Sequence, residues 1–75
     1  MGRVPIPKPS FLDGCEALGY IYGKRRWRDD DGRLYTWDSF HGEIEAYDRI
    51  GQHIAVLDAT GLEIKPPRRG RRIRV

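Results

Sequence analysis

From residue 20 onward, apolar and polar positions alternate in short runs, and each run stops at a cluster of Asp, Gly, Ser or Thr. Alternation with a period of two marks a strand with one face buried. The runs predict strands over residues 24–29, 33–37, 41–47 and 53–58, with a short fifth over 62–65. Asp30-Asp31-Gly32, Asp38-Ser39-Phe40, residues 48–51 and Ala59-Thr60-Gly61 read as the turns between them. Asp and Gly suit these places because tight hairpins require positive φ. Pro66-Pro67 then ends regular pairing, since proline cannot donate to a ladder. Polar turns at this spacing predict an antiparallel meander of four to five strands. Along residues 53–58 the alternation sets Ile54 and Val56 on one face.

Upstream, Pro5, Pro7 and Pro9 make residues 1–10 an extended arm, because proline fixes φ and biases the preceding residue toward extended geometry. Ser10 suits the N-cap of a short helix over residues 11–18, with Asp13 and Glu16 in its first turns and Gly19 ending it. The expected class is α+β, mainly β, in a single domain: residues 1–22 form the arm and short helix, and 23–75 form the β-domain.

Composition narrows this picture. A chain of 75 residues supports one thin core. With 33% charged residues and a mean hydropathy of −0.68 it is polar enough to approach disorder, but 11% aromatic content argues for folding. Cys15 is the single cysteine, which excludes an internal disulfide and a multi-cysteine zinc site and favours a reducing place of action. No apolar run reaches the ~18 residues of a membrane helix. Prolines stand where a signal peptide would carry its apolar region, so none is expected.

The net charge of +3 is unevenly spread. Residues 64–75 hold six basic side chains and no acid, and residues 24–34 hold five basic side chains against three aspartates. Residues 35–63 are acidic, with Arg49 alone against Asp38, Glu43, Glu45, Asp48, Asp58 and Glu63. Basic flanks suit a polyanion, most often nucleic acid. Lys24, Arg25, Arg26, Lys65, Arg69 and Arg72 are the expected RNA contacts, with Trp27 as a stacking ring. Core packing is the alternative reading for both Trp27 and Trp37. An acidic centre does not help such binding, and acid–base chemistry is one explanation of it.

That centre is Tyr35-Thr36-Trp37-Asp38-Ser39-Phe40-His41-Gly42-Glu43-Ile44-Glu45. On a strand over residues 41–47, His41, Glu43, Glu45 and Tyr47 share one face, and Asp38 lies across the connection where it can orient the His41 ring. General acid–base cleavage of RNA needs a group to take the 2′-OH proton, another to protonate the leaving 5′-oxygen, and a cation for the phosphorane. Histidine, glutamate and arginine fill those places. A solvated strand face gives the same alternation. A zinc or manganese site on Asp38, His41 and Glu43 is a further alternative.

Lys24-Arg25-Arg26-Trp27, the eleven residues of the centre, and Gly51-Gln52-His53 together resemble the ribonuclease domain of the ribosome-inactivating colicins, over about residues 23–73. The resemblance implies a short helix with a highly twisted antiparallel sheet, and metal-free cleavage of small-subunit ribosomal RNA in the decoding centre. It further implies inhibition by an acidic immunity protein. The catalytic aspartate falls on Asp38, the acid on His41 and the base on Glu45, with Glu43 and His53 on supporting positions. The catalytic arginine falls on Arg71, with Arg69 or Arg72 as alternatives.

The expected function is therefore a cytotoxic endoribonuclease without cofactor or metal, acting in the bacterial cytoplasm. Its partners are the ribosome and an acidic immunity or antitoxin protein, with no membrane. An excised bacteriocin domain and a free-standing toxin both fit. The rival readings are a non-catalytic RNA-binding β-module and an inactive toxin homologue.

Overall fold

The computed structural model describes residues 2–75. Six strands form one open sheet in chain order: β1 (Glu16–Ile21), β2 (Lys24–Arg28), β3 (Leu34–Asp38), β4 (Glu43–Tyr47), β5 (His53–Leu57) and β6 (Glu63–Lys65). Every neighbouring pair is antiparallel, as the meander pattern predicts. Among the described residues no helix is long and apolar enough to cross a membrane.

The expected helix over residues 11–18 is wrong. Ser10 does cap a turn, accepting from the Leu12 N–H, while Asp13 accepts from the Ser10 N–H. The turn is a single 3-10 element, Phe11–Gly14, and the chain is extended again at Cys15. Residues 16–21 instead pair with β2 through a hairpin whose turn residues, Tyr22 and Gly23, have φ of 53° and 80°. That pairing satisfies backbone groups which a glycine-flanked helix of two turns would leave to water. It also raises the strand count from four or five to six.

Three turns use one device. In Asp29-Asp30-Asp31-Gly32, Asp48-Arg49-Ile50-Gly51 and Asp58-Ala59-Thr60-Gly61, the aspartate side chain accepts backbone N–H groups two and four residues ahead. Its carbonyl accepts from the glycine. Three of the acidic residues in the chain are thus turn caps.

The sheet has two differently covered faces. On one, Trp27, Tyr35, Ile44, Ala46, Ala55 and Leu57 form the apolar core, closed by Leu12 and by the partly buried Ile6, Phe11, Cys15 and Trp37. The arm is held there by Val4, whose N–H donates to the Ser39 carbonyl and whose carbonyl accepts from the Trp37 indole. The other face carries buried Arg26, Leu34, Thr36, Glu45, Tyr47, His53 and Val56. The C-terminal segment, residues 66–75, crosses it. His53 N–H donates to the Arg71 carbonyl, Ile73 N–H to the Gly51 carbonyl, and the buried Arg26 guanidinium to the Arg74 carbonyl at 2.7 Å.

Bulges decide which side chains reach this second face. Ala46 pairs with Ala55 but Tyr47 pairs with His53, so Ile54 is an extra residue. The extra residue puts His53 on the Glu45 face although Ala55, two positions on, faces the core. Ile54 packs with the core, whereas Val56 pairs with Glu45, so the expectation that they share a face is corrected. A second bulge at Ile64 turns Lys65 toward this face, paired with Val56, and leaves Glu63 paired with core-facing Leu57.

Two glycines test how tightly the C-terminal segment is seated. Gly51 has φ of +90° and a Cβ there would collide with the Ile73 carbonyl oxygen, whereas Gly70, at φ +82°, faces open space. Gly70→Ala carries only the left-handed backbone penalty, roughly 1–2 kcal/mol. Gly51→Ala adds a clash against backbone, and overpacking costs about 1–3 kcal/mol more. Thermal denaturation is expected to show Gly51→Ala losing about twice as many degrees as Gly70→Ala; equal losses would mean that the segment is not seated on β5.

Candidate active site

A cleft of about 440 Å³ opens on the second face, lined by Asp38, His41, Glu43, Glu45, His53, Val56, Lys65, Pro66, Pro67, Arg68 and Arg71. The sheet supplies its floor, and the start of the C-terminal segment supplies one wall.

Glu45 lies in the floor at 4% exposure, between its cross-strand partners Thr36 and Val56. A carboxylate this deep needs hydrogen bonds. His53 Nε2 lies 2.7 Å from Glu45 Oε1, and the Arg71 guanidinium lies 3.8 Å from the same oxygen. The tautomer follows from the other ring nitrogen, because the Arg68 backbone N–H donates to His53 Nδ1 at 2.9 Å. A nitrogen that accepts carries no proton. Neutral His53 therefore bears its proton on Nε2 and donates it to Glu45. Oε2 of Glu45 takes no hydrogen bond among the described residues.

The expected strand over 41–47 begins at Glu43, and His41 stands in the β3–β4 turn. This turn repeats the aspartate device with one more residue before its glycine. Asp38 Oδ1 accepts from the Phe40 and His41 backbone N–H groups, and Gly42 N–H donates to the Asp38 carbonyl. Asp38 Oδ2 is 2.8 Å from His41 Nδ1. Partial burial pushes the Asp38 carboxyl up, but the bonds from the His41 ring and the two backbone N–H groups outweigh it and hold it below its ordinary value near 3.8. His41 itself is exposed, with Phe40 edge-on beside it at 5.6 Å.

Glu43 is paired with Lys65 at 3.1 Å. Ligand atoms of Asp38, His41 and Glu43 lie within 4.8 Å of one another, so these three can approach a metal ion. Both Asp38 oxygens are already engaged by the His41 ring and backbone N–H groups, and Glu43 Oε1 by Lys65.

The fold thus gathers Asp38, His41, Glu43, Glu45, His53, Lys65 and Arg71 around one cleft. Arg69 and Arg72 line a neighbouring depression with Gln52 instead, which leaves Arg71 as the arginine beside Glu45. Lys24 and Arg25 are exposed, with Arg25 over the Trp27 ring at 4.8 Å. Two expected RNA contacts are not available to a ligand. Trp27 is 5% exposed in the core, and Arg26 is 6% exposed and bonded to the Arg74 carbonyl. Sequence reading also passed over Thr36, buried beside Glu45 with an unpartnered hydroxyl. Its position two residues before Asp38 on the same strand is the signal that puts it on this face.

A family model described as Cytotoxic matches residues 19–74. Colicin E3 of Escherichia coli is 51% identical to this chain over 49 residues. Colicin-E6 and cloacin, both of Escherichia coli, are 49% and 47% identical over the same length. Each match covers 60% of this chain and 9% of the relative, so the chain corresponds to a small part of those proteins. With strands β2 to β6, the cleft and the central motif all inside the matched span, the chain belongs to the Cytotoxic family.

Proposed function

We propose that this chain is a metal-independent endoribonuclease that cuts small-subunit ribosomal RNA at the decoding site and so halts translation in the bacterial cytoplasm. The observation that carries this reading is the pairing of two dissimilar acid–base groups in one cleft. Glu45 is buried and oriented by neutral His53, and His41 is exposed and oriented by Asp38. Environments that differ this much separate the roles of base and acid.

In this mechanism Glu45 takes the proton from the ribose 2′-OH, and the 2′-oxygen attacks the adjacent phosphorus. His41, with Nδ1 against Asp38, gives a proton from Nε2 to the departing 5′-oxygen. The P–O5′ bond breaks, leaving a 2′,3′-cyclic phosphate and a 5′-hydroxyl. Arg71 and Lys65 supply positive charge for the phosphorane. The clustering of Asp38, His41 and Glu43 favours a second reading, a divalent-metal site that activates water.

The two readings separate in a chelator. Purified chain with ribosomes in EDTA is expected to release one discrete ribosomal RNA fragment ending in a cyclic phosphate. Loss of activity in EDTA with recovery on zinc would give the site to a metal. The pH–rate profile is expected to be bell-shaped. Asp38 is held below its ordinary value, so it stays ionised and the His41–Asp38 contact persists as the pH falls through the usual carboxylate range.

Glu45→Gln keeps an oxygen for His53 to donate to but removes the base, and His41→Ala removes the acid. Each is expected to lower cleavage by ~10²–10⁴ with Tm and RNA affinity nearly unchanged. Wild-type rates in both would leave an RNA-binding module as the better account.

A ribosome-cutting chain also needs a neutralising partner from the moment of synthesis, and its basic segments suit a small acidic protein through steered association. The wild-type gene expressed alone is expected to be toxic, the Glu45→Gln form tolerated, and co-expression with an adjacent acidic reading frame protective. Free high-level expression of the wild-type gene without a companion would contradict the toxin reading.

A further inference from the structure

Residues 19–28 and 66–75 carry nine cations and no acid between them. The fold joins these two segments through the Arg26–Arg74 hydrogen bond. From Arg71, beside Glu45, the C-terminal segment passes its Arg72 bridge to Gln52 and reaches the β1–β2 hairpin at Arg74. A polyanion emerging from the cleft along this segment would meet that hairpin.

Tyr22 stands at the hairpin tip, and two observations set it apart. Tyr22 and Gly23 have φ of 53° and 80°, a turn with two successive left-handed residues. Asn or Gly is the relaxed choice for the first of them, and tyrosine is strained. Yet the ring gains little from burial: it is 66% exposed, with the Arg74 guanidinium 5.0 Å from its centroid. A strained residue whose side chain does not stabilise the core points to a ligand. Both tryptophans are meanwhile committed to the fold, Trp27 buried in the core and Trp37 partly buried against it with its indole N–H on the Val4 carbonyl.

We propose that Tyr22, backed by Arg74, is a base-stacking platform for single-stranded RNA that leaves the cleft along the C-terminal segment; this rests on the ribonuclease reading. An exposed ring beside cations is the composition of single-strand grooves, where each base offers a π-face and each phosphate a charge. Charge alone would serve an acidic protein equally, and the exposed ring on a strained turn is what favours RNA.

The test uses the full chain and a 2′-O-methyl oligoribonucleotide of about twelve nucleotides, uncleavable because it lacks the attacking hydroxyl, read by fluorescence anisotropy at fixed salt. Tyr22→Asn relaxes the turn, so its Tm is expected to be unchanged or higher, while affinity for the oligonucleotide falls roughly 5- to 100-fold. Tyr22→Phe is expected to bind like the parent. Parental affinity in Tyr22→Asn overturns the proposal, and so does a loss of affinity accompanied by a lower Tm. Unchanged RNA affinity with lost inhibition by an acidic protein would assign the surface to that protein and also overturn it. A parent chain that binds through Tyr22 yet leaves ribosomal RNA intact would support the platform and refute the ribonuclease reading instead.

Discussion

A carboxylate and an imidazole buried against each other govern much of this molecule. Neither Glu45 nor His53 tolerates burial without a defined partner, and each has the other. The ring's second nitrogen must also be satisfied, and the Arg68 backbone N–H does this. One donor on the chain's last segment therefore fixes a tautomer, and the tautomer fixes which way the hydrogen bond to Glu45 runs. The segment is in turn tied to β5, Gly51 and Arg26 by backbone and side-chain bonds. Site geometry and C-terminal docking are consequently one problem.

The rim of the cleft is built differently. His41 is held by a turn of the same type that closes three other hairpins, lengthened by one residue. In the shorter versions the aspartate binds backbone and, at Asp29 and Asp58, a hydroxyl. In the longer one it has a second oxygen for the imidazole. An ordinary hairpin solution has thus been converted into a mount for an exposed, oriented histidine. Burial at the floor and exposure at the rim come from two separate local devices.

The meander was legible because alternation and Asp-Gly punctuation are local signals, and they hold for β2 to β5. The first strand was not. Ser10 and Asp13 form a real cap, and nothing local says that it closes after one turn. The deciding information is the pairing of residues 16–21 with β2, a tertiary matter. The motif around Asp38, His41 and Glu45 marked the site well, yet alternation alone put His41 on a strand that starts two residues later. His53 could be named but not placed, because its face depends on Ile54 being an extra residue, and bulges leave no periodic trace. The basic run at 24–28 hid its own division of labour: Lys24 and Arg25 are exposed, whereas Arg26 and Trp27 are structural.

The bulge at Ile54 has an evolutionary corollary. Because it sets the two halves of β5 out of phase, regular pairing of the strand at its present length would exchange the inward and outward sides of its first half. Regular pairing of Ile54 would send His53 toward the apolar core and strip Glu45 of its partner, while leaving composition untouched. Loss of the extra residue outright would instead leave His53 opposite Tyr47 on the Glu45 face, so the strand can shorten there by one residue but cannot be regularised at its present length. Active relatives should accordingly either keep an unpaired residue between the positions of His53 and Ala55 or lack that residue altogether.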